Sequence, residues 1–224
     1  ETYKAGTTTL SSRAVTTTSA NGLSVTTSSD LDGDGVYEQV ITDVTVLNAD
    51  GSKTETVSRF GAGNTLISKT ATTTSGNGLS KQTSWTDGTG ATVRSRTDIT
   101  ALGADGSTTE VVTNSGVISN KTTTTTSGDA KTVTVTYDVD GNGVVDQKSV
   151  TTKNADGSVT QTLSDLTSTG SVSHSKTVTT GAGGFNTLVS YDTDGNGAAN
   201  KTVTDLTTLN TDGSKTTVEK TYTV

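Results

Sequence analysis

The sequence contains no cysteine, no proline and no methionine, and only one histidine and one tryptophan. Without cysteine, no disulfide framework can form. Hydrophobic residues make up 28% of the chain and aromatic residues 4%, whereas a typical globular domain is about 45–50% apolar. Such a chain cannot bury one thick hydrophobic core. Because a protein with a small core and no disulfides needs another source of stabilisation, this composition favours a bound metal.

Long apolar runs and an excess of positive charge are also missing. No apolar run approaches the ~18 residues of a membrane helix. The net charge of −7 disfavours binding to nucleic acid and to anionic membranes. The absence of methionine, together with a pattern that is already under way at Glu1 and still running at Val224, predicts a segment of a longer array.

Threonine, serine, glycine, asparagine and aspartate take the place of the missing residues. Threonine favours strands, and glycine, asparagine and aspartate favour tight turns. Val40, Thr42, Val44 and Val46 alternate with a second set of residues in the pattern of a β-strand. No window shows a convincing helical stripe. The sequence therefore predicts an all-β fold of short strands and many turns.

An acidic, glycine-rich loop recurs about every 54 residues, which is the signature of a repeat protein. It stands at residues 30–35, 138–143 and 192–197, with a worn copy at 85–90. A second marker, Asn-x-Asp-Gly-Ser or a close variant, follows each copy. Together they divide the chain into four predicted repeats of about four strands each, with the bounds 5–60, 61–115, 116–166 and 167–224.

Two arrangements of the repeats are open. Each repeat could form its own small meander, strung like beads, or corresponding strands of successive repeats could pair. The near-constant period and the lack of linkers favour the second. We therefore expect a tandem-repeat array of antiparallel β-hairpins and meanders, stacked into an elongated layered rod.

The recurring loop places oxygen-bearing side chains at its positions 1, 3, 5 and 9, and position 7 can offer a backbone carbonyl. Alternate residues of a tightly curled loop can point at one cation, and the glycine after position 5 allows the sharp turn. The predicted metal ligands are Asp30, Asp32, Asp34, Val36 and Glu38; Asp138, Asp140, Asn142, Val144 and Asp146; and Asp192, Asp194, Asn196, Ala198 and Asn200.

Oxygen-only donors favour a hard cation, and a flexible cage of six to eight oxygens suits Ca²⁺. The loop resembles the first half of an EF-hand loop, but position 12 holds Ile41, Ser149 or Val203 instead of glutamate, and the flanks are strands. The competing interpretation is a solvated acidic turn; recurrence of the ligand positions favours calcium. In the worn copy Trp85 and Thr89 replace two ligands, so we expect no calcium there, or weak binding.

The Asn-x-Asp-Gly-Ser markers allow two interpretations. They could be half-built metal sites, or type I turns followed by a glycine bulge. The second interpretation is favoured.

The acidic loop combined with the downstream Asn48-Ala-Asp-Gly-Ser52 type of turn, over threonine-rich strands, resembles the tandem arrays of large secreted calcium-binding bacterial proteins. These are the RTX-like adhesins and extracellular matrix proteins. The resemblance implies export by a type I system, folding in extracellular calcium, and a structural or adhesive role in a surface fibre or biofilm. The chain lacks the nonapeptide repeat of that family, which argues against a nine-residue β-roll.

An enzyme is disfavoured, because the chain has no cysteine and one histidine, His174. His174 has no counterpart in the other repeats and is predicted to be a surface strand residue. Trp85 is the one aromatic candidate for carbohydrate binding and is expected to pack instead. The threonines of 122–126 are too irregular for an ice-binding face. The sequence thus favours a calcium-stabilised extracellular fibre segment whose partners are neighbouring repeats or like subunits, with a spacer stalk below a separate adhesin head as the alternative.

Overall fold

A computed structural model describes residues 1–223, so only the last residue of the fourth predicted repeat, Val224, lies outside it. The fold is all-β, as the composition predicts: the described residues form 17 strands that pair antiparallel, and their only helix is one 3₁₀ turn at Ala62–Asn64. The first eight strands are β1 Thr2–Tyr3, β2 Leu10–Thr18, β3 Ser24–Asp30, β4 Gln39–Leu47, β5 Lys53–Phe60, β6 Leu66–Thr74, β7 Ser80–Asp87 and β8 Thr92–Leu102.

Nine further strands follow. They are β9 Thr108–Gly116, β10 Asn120–Thr126, β11 Thr132–Asp138, β12 Gln147–Lys153, β13 Val159–Leu166, β14 Val172–Thr180, β15 Asn186–Asp192, β16 Lys201–Leu209 and β17 Lys215–Thr223. The chain divides into two compact units, residues 1–99 with 114–118, and residues 100–113 with the residues from 119 onward. Strands β1–β7 lie wholly in the first unit and β10–β17 wholly in the second.

Each strand pairs with the next strand along the chain. In the first unit the antiparallel pairs run without interruption from β1 to β8, and in the second unit from β10 to β17. The expectation that corresponding strands of successive repeats pair is therefore wrong within both units. Pairing two strands that a short turn connects costs less chain entropy than pairing two strands about 54 residues apart in the sequence.

No hydrophobic side chain is buried anywhere in residues 1–223, which confirms that the chain builds no hydrophobic core. Large apolar residues such as Leu47 and Leu206 are more than half exposed. Within each unit, strands pack extensively only against strands that are adjacent to them in the sequence. The sheet is therefore held mainly by its ladder of backbone hydrogen bonds.

Threonine hydroxyls add hydrogen bonds between neighbouring strands. Thr54 and Thr73 lie 3.1 Å apart, oxygen to oxygen, and Thr160 and Thr179 also 3.1 Å. Directly opposite pairs of this kind stabilise a sheet by roughly 0.2–1 kcal/mol each. In this chain these hydrogen bonds provide part of the stabilisation that apolar packing provides in other proteins.

The single histidine and the single tryptophan both lie in strands. His174 lies in β14 and is exposed, as predicted. Trp85 lies in β7, half-buried, with the guanidinium carbon of Arg94 4.5 Å from the centre of its ring system. No helix among residues 1–223 is both long and apolar enough to span a membrane.

Candidate metal site

Three strands end in an aspartate that is more deeply buried than any hydrophobic residue described. Asp30 is 0% exposed, Asp138 6% and Asp192 7%. They close β3, β11 and β15, and each begins a loop that leads to the next strand. We name these loop 1 (residues 30–38), loop 3 (138–146) and loop 4 (192–200). In each, the buried aspartate is the predicted ligand at position 1.

Backbone N–H groups of the loop surround the first aspartate of loop 1. Asp30 Oδ1 accepts a hydrogen bond from Gly33 N–H at 2.7 Å, and Oδ2 accepts one from Gly35 N–H at 3.0 Å. Both glycines have positive φ, +81° and +92°, a conformation that glycine adopts at no steric cost. A side chain on Gly33 would also collide with the carbonyl of Leu10. Glycine at this position is therefore required twice over.

The other acidic side chains of loop 1 hold the chain in a curl. Asp34 N–H donates to Asp32 at 3.2 Å, and Val36 N–H donates to Asp34 at 2.7 Å. Glu38, at position 9, accepts from Leu31 N–H and closes the loop. As a result Asp30, Asp32, Asp34 and Glu38 each place a carboxylate oxygen within 4.8 Å of the others. Four like charges at this spacing repel one another unless a cation lies among them.

Loop 3 repeats this arrangement with one important difference. Asp138, Asp140 and Asp146 bring carboxylate oxygens within 4.8 Å of one another, and Asp146 accepts from Val139 N–H at 2.7 Å. Asp138 Oδ2 accepts from Gly143 N–H at 2.9 Å. The second oxygen, Oδ1, is buried and has no hydrogen-bond partner in the part of the chain that the structure describes. A buried charged oxygen without a partner costs free energy that a bound cation would offset.

Loop 4 has the same curl with fewer charges. Asp192 accepts from Gly195 N–H at 2.7 Å and from Gly197 N–H at 2.9 Å. Burial raises the pKa of Asp192, but its hydrogen bonds to Gly197, Gly195 and Asp194 together lower it by more, so the pKa lies below its ordinary value. Asn200 takes the place of Glu38 and accepts from Thr193 N–H at 2.7 Å. Asp192 and Asp194 are the carboxylates of this loop.

Positions 5 and 7 are held alike in all three loops. Val144 N–H donates to Asn142 Oδ1 at 2.7 Å, and Ala198 N–H donates to Asn196 Oδ1 at 2.7 Å, as Val36 does to Asp34 in loop 1. The role of the Val36, Val144 and Ala198 carbonyls as ligands stays a prediction. The side-chain oxygens, by contrast, are placed around the same curl in every loop.

The worn copy is a different structure. β7 runs on to Asp87 and β8 begins at Thr92, so the connection is only residues 88–91. Thr86, 8% exposed, takes the register and burial of Asp30, because it faces Lys69 as Asp30 faces Arg13. The alignment of Trp85 with Asp30 is therefore wrong by one residue.

Asp87 is the acid that the shortened connection retains. It accepts hydrogen bonds from the hydroxyl of Thr89 at 2.6 Å and from its N–H at 2.8 Å, and the hydroxyl in particular lowers the pKa of Asp87. It closes a tight turn, since Gly90 N–H donates to its carbonyl at 3.1 Å. The absence of calcium here stays a prediction, now supported by the loop's length.

Sequence reasoning missed the residues that face position 1 across the sheet. Arg13 is the direct partner of Asp30, and Lys121 of Asp138. The available signal was a basic residue 17 positions before the first aspartate of the loop: Arg13 precedes Asp30, and Lys121 precedes Asp138, by this distance. Without the strand register, nothing in the sequence connects these basic residues with the loops.

The Asn-x-Asp-Gly-Ser turns show the features of the favoured interpretation. In the first, Gly51 N–H donates to the carbonyl of Asn48 at 3.0 Å, and Gly51 has φ +80°. The serine hydroxyl bonds the aspartate, as in Ser158 to Asp156 at 2.7 Å. These features are those of a type I turn with a glycine bulge.

The site's chemistry follows from its donors. Loops 1 and 3 collect three or four carboxylates around one point, with oxygen as the only donor element, and such clusters could hold a metal ion. The residues present fit that group, because Asp138 Oδ1 has no other partner among residues 1–223. No protein-family model, no curated protein and no solved structure matches this chain.

Proposed function

We propose that this chain is a calcium-stabilised structural segment of an extracellular β-repeat protein. The single observation that carries the proposal is the buried, unpartnered Oδ1 of Asp138. Asp138 also brings a carboxylate oxygen within 4.8 Å of those of Asp140 and Asp146. A cation among these groups would both satisfy that oxygen and relieve the repulsion between the three acids.

Calcium suits the donors better than other common ions. The loops offer carboxylate, amide and backbone oxygens on a flexible curl, and Ca²⁺ accepts six to eight such ligands in variable geometry. Mg²⁺ demands a near-ideal octahedron and gives up its water reluctantly. Zinc prefers nitrogen and sulfur donors, and the chain has no cysteine and one histidine, which lies outside the loops.

A structural role follows from what else holds the fold. No hydrophobic side chain is buried in the described residues, so apolar packing contributes little to the free energy of folding. A metal that binds the folded loop and not the unfolded chain adds its binding free energy to stability. Each loop joins two paired strands, and an ion in it would therefore fasten a hairpin.

Tandem repetition of the predicted four-strand repeat is part of the proposal. The predicted repeats correspond to four long strands each, β2–β5, β6–β9, β10–β13 and β14–β17, although β9 runs one residue past the bound of the second repeat. The pairing of β5 with β6, and of β13 with β14, joins consecutive repeats edge to edge. This supports an array that lengthens as repeats are added and whose partners are neighbouring repeats or like subunits. Secretion, and a place in a surface fibre or biofilm filament, rest on the family resemblance.

A spacer stalk of an adhesin with a separate ligand-binding head is the alternative. The same calcium-fastened repeats would serve there to hold the head away from the surface. Sequence on either side of residues 1–224 separates the two, since a fibre continues the repeat whereas a stalk meets a distinct domain.

Thermal unfolding with and without a chelator tests the proposal. At a calcium concentration of about 100 times Kd, one site adds ~2.7 kcal/mol, which raises Tm by roughly 5–10 °C in a chain of this size. We expect Tm to fall by at least that amount in EGTA, and equimolar magnesium to restore little of it. A melting curve that chelation leaves unchanged would show that calcium does not stabilise the fold.

A further inference from the structure

The residue that faces position 1 across the sheet differs from loop to loop. Arg13 faces Asp30, Lys121 faces Asp138, and Ser175 faces Asp192. Directly opposite residues lie on the same face of a sheet, with Cβ atoms about 4.5–5.5 Å apart. Loops 1 and 3 therefore have a basic side chain next to the buried carboxylate, whereas loop 4 has a neutral one.

In loop 3 the basic side chain has space to move. A cavity of about 60 Å³ lies between Lys121 and Asp138, and its wall includes Gly143 and Val145. A lysine carries its charge on a flexible four-carbon stem. The buried Oδ1 of Asp138, which no described group hydrogen-bonds, offers that charge a partner.

In loop 1 the basic side chain contacts an aromatic residue. Arg13 Nη2 donates to the hydroxyl of Tyr37 at 3.0 Å, and its guanidinium carbon is 5.3 Å from the centre of the Tyr37 ring. Val145 stands at the equivalent position of loop 3 and offers neither a hydroxyl nor a π face. Both oxygens of Asp30 are already satisfied by glycine N–H groups.

Loop 4 provides the uncharged reference. Ser175 faces Asp192, whose two oxygens accept hydrogen bonds from Gly195 and Gly197. Neither an unpartnered carboxylate oxygen nor a facing cation is found in this loop. Loop 3 thus combines a facing cation with an unpartnered carboxylate oxygen, loop 1 has the facing cation with a satisfied aspartate, and loop 4 has neither.

We propose that Lys121 is an internal counter-ion of the loop 3 metal site: its ammonium group neutralises Asp138 when the loop is empty, and the incoming cation displaces it. This inference rests on the proposed calcium function. Lys121 then lowers the affinity of loop 3 for calcium and stabilises the metal-free fold. One positive charge about 6 Å from a divalent cation weakens its binding roughly tenfold where water screens the interaction.

A reciprocal exchange of the facing residues tests the proposal in the full chain. Lys121→Ser gives loop 3 the residue of loop 4, and Ser175→Lys gives loop 4 the residue of loop 3. Calcium titrations followed by NMR through the amides of Gly143 and Gly197, which bond Asp138 and Asp192, report each loop separately. We expect about tenfold tighter binding at loop 3 in the first variant and about tenfold weaker binding at loop 4 in the second. The unaltered loop is the internal control.

Melting in EGTA provides a second measurement. Lys121→Ser should lower Tm in EGTA and widen the gap between the calcium and EGTA curves, whereas a simple packing defect would lower both curves equally. If calcium binds but neither variant changes its affinity, the counter-ion inference is overturned and the proposed function stands. If neither loop of the unaltered chain binds calcium, the proposed function itself fails.

Discussion

At the scale of single residues, the usual distribution of polar and apolar groups is inverted. Carboxylates are rarely buried unless paired, yet Asp30 is fully buried while Leu47 is 66% exposed. Backbone N–H groups of the loop compensate for the burial of Asp30 by hydrogen bonds to both its oxygens. Because Asp138 lacks one of these bonds, loop 3 is where removal of a carboxylate should be most informative.

Removal of two ligands of loop 3 should abolish one site. We expect Asp138→Ala with Asp140→Ala to lower the calcium stoichiometry by about one, because the loop would retain a single carboxylate, Asp146. Isothermal titration calorimetry measures the change.

The matched control is Asp87→Ala in the worn copy. Because the turn in this copy is short, we expect this variant to leave the stoichiometry unchanged. Loss of a full site from Asp87→Ala would contradict the prediction that the worn copy binds no calcium, or binds it weakly.

At the scale of elements, the turns carry much of the specificity. In the Asn-x-Asp-Gly-Ser hairpins and the close variant that begins at Gly103, the aspartate accepts hydrogen bonds from the serine hydroxyl, which has the larger effect, and from the serine N–H. These bonds hold the pKa of four aspartates below the ordinary value: Asp50, Asp105, Asp156 and Asp212. A carboxyl with a lowered folded pKa stabilises the fold above its unfolded pKa of about 3.9. That stabilisation is lost as the pH falls through the lower folded pKa.

The acid sensitivity of one turn can be tested at Asp156. We expect its carboxyl to titrate below pH ~3.9 and to move towards that value in Ser158→Ala, because the hydroxyl that bonds the ionised form at 2.7 Å is gone. NMR titration of the Asp156 side chain measures the shift. A midpoint that Ser158→Ala leaves in place would assign the effect to the backbone bond alone.

Strand identity was predictable from sequence, and strand partners were not. β4 appears where the alternation of Val40, Thr42 and Val44 predicted a strand. Alternation fixes which face a side chain takes, but it is the same whichever strand lies alongside. The carboxylate clusters of loops 1 and 3 were likewise predictable from spacing, whereas the position of Lys121 opposite Asp138 depends on a strand register that no local pattern encodes.

At the scale of the whole molecule, the missing hydrophobic core should be visible in calorimetry. Unfolding of a globular protein raises the heat capacity by about 12–15 cal/mol/K per residue, mainly because apolar surface becomes exposed. Since no hydrophobic residue is buried among those described, we expect a clearly smaller value per residue. Scanning calorimetry in saturating calcium measures it, and dilution shows whether self-association contributes. A value in the globular range at every concentration would mean that the sheet faces are covered.

The pairing of each strand with its sequence neighbours has a consequence for how such a chain can evolve. Within each unit, the constraints on a hairpin come from the two strands beside it, and no interior volume has to be refilled when a hairpin is gained or lost. Unequal recombination between similar gene segments can therefore lengthen or shorten the protein by whole hairpins. Selection on length can then act almost independently of selection on foldability.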